Sequence, residues 1–238
     1  MKCIICNNEI FEASIEHIFP LSLGGKAKIN SVCKSCNDKL GYKIDCLLTE
    51  NSDFYCLRAK FGIRNRQKKL PDITKKLKFR NDETDMPVWF KYNKKGQIIE
   101  IKEKDSNVNL LQASKASRIC ADITYDLNKY KPLCVKILHE FLYLRYLDKY
   151  ESTLLYKKLS KYLFYYIYKD INNLEDLNFM TAQLSLNDYS YTSNVLKFSI
   201  ENDKCITIGI NIYDYLLFVV NLDDAAEYQF IDDYTYIN

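Results

Sequence analysis

Cys3-Ile4-Ile5-Cys6, then Ser14-Ile15-Glu16-His17-Ile18-Phe19-Pro20 with Gly24-Gly25 close behind, then Cys33-Lys34-Ser35-Cys36-Asn37: these stretches decide how the first part of the chain folds. Thiolates are soft ligands, and each Cys-x-x-Cys turn presents two sulfurs to one tetrahedral ion at about 2.3 Å, so the two pairs together describe a closed zinc site. Both pairs lie among polar residues (Asn7, Asn8, Lys34, Ser35), which argues against four ordinary core cysteines. Zinc bound by such a frame contributes roughly 10–16 kcal/mol, comparable with the stability of a small domain. A turn-rich segment too short to bury a core of its own needs that staple.

The interval between the pairs is longer than a plain zinc ribbon requires, and it holds His17. Along a strand, Glu16 and His17 point to opposite faces, so a bend or a strand end is needed to bring both to one place. Pro20 and Gly24-Gly25 supply the irregularity. Imidazole is the side chain that exchanges protons near neutrality, and a carboxylate beside it suits a hard divalent cation.

Composition bounds the rest. With 47% hydrophobic and 27% charged residues the chain is an ordinary globular one, and 6 Gly and 4 Pro among 238 residues exclude collagen-like and low-complexity classes. No run of 18 apolar residues predicts a membrane span, and MKCIICNNEI does not read as a secretory signal, so the expected compartment is the cytoplasm and no membrane partner is expected. Between Arg58 and Arg80 ten basic residues face the single acid Asp72, a local charge of +9, so the remainder carries −6 to reach the overall +3. The end from Asp223 to Asp233 is acidic and unsuited to a polyanion.

Periodicity divides the chain into residues 1–56, a basic connecting segment 57–80, and an α+β part over 81–238. Strands are expected near 77–82, then PVWFKYN and QIIEIKEKD as a hairpin around Asn93–Gly96. Helical spacing follows between about Asn109 and Asp170, with Leu133, Ile137, Leu138, Phe141, Leu142 and Leu144 on one run and Leu154–Ile167 on a second. Beyond Leu177, VLKFSIENDKCITIGINIY reads as a hairpin across Glu201–Lys204 and LLFVVNL as a buried strand. His139, on the helical run, is expected to be structural, the aromatic YLFYYIYKDI to be core and amphipathic edge, and the five scattered cysteines to be small buried hydrophobes.

The order Cys-x-x-Cys, Glu-His-Ile-x-Pro, Gly-Gly, Cys-x-x-Cys-Asn resembles the HNH endonucleases of the ββα-metal (His-Me finger) superfamily, in particular the zinc-containing branch that includes phage endonuclease VII. The resemblance covers about residues 3 to 45. It implies a zinc-stapled ββα-metal, treble-clef-like module ahead of the mixed α+β part. It implies Cys3, Cys6, Cys33 and Cys36 as structural zinc ligands, His17 as general base, and Glu16 and Asn37 as ligands of a catalytic Mg²⁺ or Mn²⁺. The products would carry 5′-phosphate and 3′-hydroxyl ends. The family's histidine-orienting Asn has its nearest candidate in Asn30, seven rather than about nine residues before Asn37, and a plain loop Asn reads as well there. Asp45, eight residues past Asn37, falls outside the ligand face of an ideal helix.

The substrate so implied is DNA, with RNA not separated from it. Arg58, Lys60, Arg64, Arg66, Lys68 and Lys69 are candidate phosphate contacts, with a solvated loop as the other reading. The α+β part is a candidate for substrate positioning, homodimer contacts or a regulatory protein partner. Restriction, anti-phage defence and mobile elements are the settings in which such nucleases serve. The other reading of the whole is a zinc module that binds nucleic acid or a protein without cutting.

Overall fold

The computed structural model describes residues 1–49, 58, 62–64, 76–78, 87–92, 98–103, 127–171, 179–184, 194–201, 205–212, 216–223, 230–232 and 234–237. It is α+β: helices, antiparallel sheets and a cysteine cluster near the N-terminus. Among the described residues no helix is long and apolar enough to cross a membrane.

Two compact units share the chain, one made of Met1–Leu47 with Leu127–Asn238 and the other of Leu48–Asp126. These bounds differ from the sequence division at 56 and 80. The first segment is grouped with the C-terminal helices, through contacts that no local pattern announces.

The first unit begins with a zinc-knuckle turn closed by Asn7 N–H to Cys3 O at 2.9 Å and Cys3 N–H to Asn8 O at 2.9 Å, with Asn7 in the left-handed region at φ 58°. Strand β1 (Ala13–His17) pairs antiparallel with β2 (Lys28–Cys33), and helix α1 (Lys34–Leu40) follows directly. The ladder slips by one residue. Ser14 pairs with Val32 but Glu16 with Ile29, so Asn30 and Ser31 together face Ile15. Such a bulge bends the strand and breaks its alternation, which is why Ser31 and Val32 are both buried. Between the strands, Gly24 adopts φ 75°, and Gly25 lies so close to the Phe19 carbonyl that an added Cβ would sit 1.7 Å from its oxygen. The Gly-Gly turn expected from sequence is therefore a steric requirement.

A π-helical turn (Gly41–Asp45) continues α1 into the short α2 (Cys46–Thr49). Then come α3 (Lys131–Glu151) and α4 (Leu154–Lys169), joined by a tight turn. Pro132 opens α3, where its missing N–H costs nothing. The Thr153 hydroxyl accepts the Tyr156 N–H at 3.0 Å to cap α4. From Pro132 to Tyr143 every residue of α3 is buried, so this half is a central helix rather than an amphipathic one. Leu144 departs from the expected apolar face and is 50% exposed.

A five-stranded antiparallel sheet closes the unit, in the order β10-β7-β8-β9-β6, with β6 Phe179–Leu184, β7 Asn194–Glu201, β8 Cys205–Ile212, β9 Leu216–Asp223 and β10 Tyr234–Ile237. The β7–β8 hairpin joins Glu201 to Cys205, as the sequence predicts, and Ile208, Ile210 and Ile212 are buried at period two. Phe141 of α3 meets Tyr236 of β10 with ring centroids 5.4 Å apart. The second unit contains an antiparallel sheet of β3 (Lys76–Lys78), β4 (Pro87–Tyr92) and β5 (Ile98–Glu103), which includes the expected PVWFKYN/QIIEIKEKD hairpin. Its turn at 93–97 lies outside the described residues.

Candidate metal and nuclease site

The knuckle turn and the start of α1 bring Cys3, Cys6, Cys33 and Cys36 together, with all four sulfurs within 4.8 Å of one another. A zinc tetrahedron with Zn–S of about 2.3 Å has edges of about 3.8 Å. The Cys6 and Cys33 sulfurs are 3.8 Å apart. The residues fit the ion. The thiols also conflict with one another when protonated: a hydrogen bond from Cys36 holds Cys3 down to about 4, burial pushes Cys6 up to about 11, and its bond to Cys3 pushes Cys36 well above the thiol range. A dication resolves that conflict by taking all four as thiolates.

The knuckle is seated on the helices. Ile4 and Ile5 are buried, the Ser160 hydroxyl of α4 donates to Ile5 O at 3.2 Å, and Tyr168 brings its hydroxyl to 3.4 Å from the Cys36 sulfur and 3.1 Å from Ser35 Oγ. Lys39 lies over the Tyr168 ring, 4.7 Å from its centroid. Tyr168 belongs to the aromatic run that sequence reading gave to core and edge; the missed signal is that its last tyrosine falls on the polar side of α4, next to the lysine-rich exposed positions.

Asn37, on the first turns of α1, donates from Nδ2 to Ser14 Oγ at 2.7 Å and to Ile15 O at 3.0 Å. Its amide nitrogen is thus tied to β1, the strand that ends at His17. His17 itself is half-buried at the strand end, and Lys28, not Asn30, is its partner across the ladder. Asn30 is exposed and lines a groove of about 440 Å³ with Lys28 and Tyr143.

Glu16 has a different partner from the one the resemblance implies. It is 3% exposed, faces the interior, and its Oε1 lies 2.5 Å from the Nζ of Lys136 on α3. Lys136 is fully buried and also lies 3.0 Å from Asp45 Oδ1 and 3.1 Å from the carbonyl oxygen of His17. Burial works against the Lys136 ammonium, yet Asp45, Glu140 and Glu16 together hold its pKa above the ordinary lysine value. Burial lifts Glu16 against the pull of Lys136, and it lifts the fully buried Glu140 well above the usual carboxylate range.

The donor chemistry of Glu16 and Asn37 suits a hard cation. The Glu16 carboxylate is paired with the Lys136 ammonium, while Asn37 turns its nitrogen, and not its amide oxygen, to β1. The π turn explains how Asp45, which sequence spacing puts off the ligand face of an ideal helix, joins this cluster behind Glu16: an i→i+5 turn shifts the helix phase that an ideal α-helix would keep.

The expected phosphate contacts are only partly described. Arg58 is 4% exposed, so its side chain does not offer itself to a polyanion in this arrangement, whereas Arg64 is exposed. Lys60, Arg66, Lys68 and Lys69 lie outside the described residues. Of the scattered cysteines Cys134 is fully buried and Cys46 half-buried, and the other three side chains are not among those described.

Residues 3–52 match the family model of HNH endonucleases. With four cysteines placed for one metal ion and a β1–β2–α1 unit around His17 and Asn37, the segment is an HNH-type zinc module. No curated protein and no solved structure matches the chain. The HNH module accounts for the N-terminal motifs; α3, which reaches into it with Lys136, lies beyond the matched residues.

Proposed function

We propose that this chain is an HNH endonuclease that hydrolyses phosphodiester bonds in DNA. The observation that carries the reading is the pair of hydrogen bonds from Asn37 to Ser14 and Ile15, which fastens the start of α1 against the strand that delivers His17. Motif residues separated in sequence by 20 positions are thus linked through β1.

In this reading His17 takes the proton from the attacking water, the new P–O bond forms as the bond to the 3′ oxygen breaks, and the products are 5′-phosphate and 3′-hydroxyl ends. Asn37 holds the strand end and the helix start in register. A divalent ion, where one is used, stabilises charge on the phosphoryl oxygens; Mg²⁺ and Mn²⁺ are the candidates. Arg64 and the basic residues around it supply phosphate contacts. Bacterial or phage defence, restriction or mobile-element biology in the cytoplasm is the setting proposed, and the C-terminal sheet is proposed as the place for a partner or second copy.

Plasmid cleavage by the zinc-loaded full chain, with Mg²⁺, Mn²⁺ or chelator added, tests the reading. Nicking or linearisation is expected, and His17→Ala should reduce it about 10²–10⁴-fold with zinc content unchanged. Binding without cutting under every metal condition would favour the non-catalytic zinc module.

A further inference from the structure

Three groups converge on the Lys136 ammonium: Glu16 and the His17 carbonyl from β1, and Asp45 from the π turn. Packing does not call for a charge there. A buried ion cluster is commonly replaced by apolar side chains of similar volume without loss of stability, because desolvation offsets the attraction. What the lysine does that Met or Leu cannot is hold a backbone carbonyl and a carboxylate at fixed positions through one atom. Both lie at the last two residues of β1, and the second of them is His17.

We propose that Lys136, delivered from the middle of α3, is a positioning residue of the nuclease site: its ammonium ties the Glu16 carboxylate to the His17 carbonyl and so fixes the strand end that carries the base. The inference rests on the reading of His17 as that base. It makes the site a joint product of the HNH module and a helix outside the matched residues, and it gives Glu16 the task of holding Lys136 in place.

The chain has only two histidines, which makes the test direct. His139 contacts Ile4 O and Tyr150 OH and so reports whether α3 is still docked, while His17 reports on the site. Histidine-ring NMR spectra of the zinc-loaded chain should show the His17 resonance displaced in Lys136→Met and that of His139 unmoved. Cleavage should fall about 10- to 100-fold in kcat, with KM within about twofold, the scale of a group displaced by an ångström. Asp45→Asn removes one arm of the cluster at a partly exposed position, should shift the His17 signal in the same direction by less, and carries the test alone if Lys136→Met does not fold.

Two outcomes overturn the proposal: both resonances and kcat unchanged, or both resonances moving together, which would assign the lysine to docking of the helix. Failure of the unaltered chain to cut DNA would sink the nuclease reading, while the resonances would still decide whether Lys136 fixes His17.

Discussion

The imidazole of His139 joins the zinc knuckle to the helices: Nε2 lies 3.0 Å from the carbonyl oxygen of Ile4, and Nδ1 lies 2.7 Å from the hydroxyl of Tyr150. A neutral ring satisfies both contacts, donating to the carbonyl and accepting from the phenol. Burial holds its pKa down to about 4 from the ordinary 6.5. Above about 6.5 the ring is neutral in both folded and unfolded chains and contributes no pH dependence. Between 6.5 and 4 only the unfolded chain takes the proton, so stability should fall as the pH drops through this window, by about 3 kcal/mol in all. Urea titrations at several pH values check it: the slope should shrink in His139→Leu. An identical slope in parent and variant would assign the acid sensitivity to other groups, the zinc thiolates first.

Zinc removal should spread beyond the knuckle. Ile4, Ile5 and Cys36 touch α3 and α4 through His139, Ser160 and Tyr168. Chelation, or Cys36→Ser, should therefore remove the ion, unfold the first 50 or so residues and lower the melting temperature of the helices as well. Metal analysis and thermal melts followed by far-UV circular dichroism measure this. One tightly held zinc per chain is expected, and its absence from protein purified without chelators would remove the frame of the site.

Gly25→Ala should be among the costliest small substitutions in the module. An alanine Cβ would overlap the Phe19 carbonyl oxygen, which is backbone and cannot swing away. A loss of about 2–4 kcal/mol is expected from displacing the loop, against about 1 kcal/mol for Gly24→Ala, which puts an alanine in the left-handed region. Denaturant midpoints of the two variants give the comparison, and equal losses would count against the close approach.

The basic stretch should act through phosphates and not bases. Replacing Arg64, Arg66, Lys68 and Lys69 with Ala is expected to weaken binding alike on unrelated duplexes and to flatten the log–log salt dependence by about 0.9 per lost contact. Arg58→Ala, at a buried position, should instead lower stability. An unchanged salt slope in the quadruple variant would make the stretch a solvated loop.

What the sequence made legible was local. Two Cys-x-x-Cys spacings place four sulfurs without any knowledge of the rest of the chain, and the Gly-Gly pair and the β7–β8 hairpin are likewise written in neighbouring residues. Asn37 could be picked out by its position after the second cysteine pair. The direction of the Glu16 side chain could not, because it is decided by a lysine on a distant helix, and nothing in Lys136-Ile137-Leu138-His139 distinguishes a buried charge from a solvated one. The contact of Asp45 with Lys136 was hidden for a related reason: the π turn that rotates it inward leaves no mark on apolar spacing. The strand β10 was passed over because Tyr234–Ile237 is short and follows an acidic run read only for its charge.

The contact between Lys136 and the His17 carbonyl spans 119 residues of chain, and that separation has a consequence in time. At about 5–20 residues per second of synthesis, the histidine leaves the ribosome roughly 6–24 s before the lysine that fixes it. During that interval the growing chain carries the cysteines of the knuckle and can already hold zinc, but the strand end bearing His17 has no cation to lock it. A cell making this protein would thus meet a metal-bound and still unassembled site first, and a finished one only once the central helix has emerged and docked.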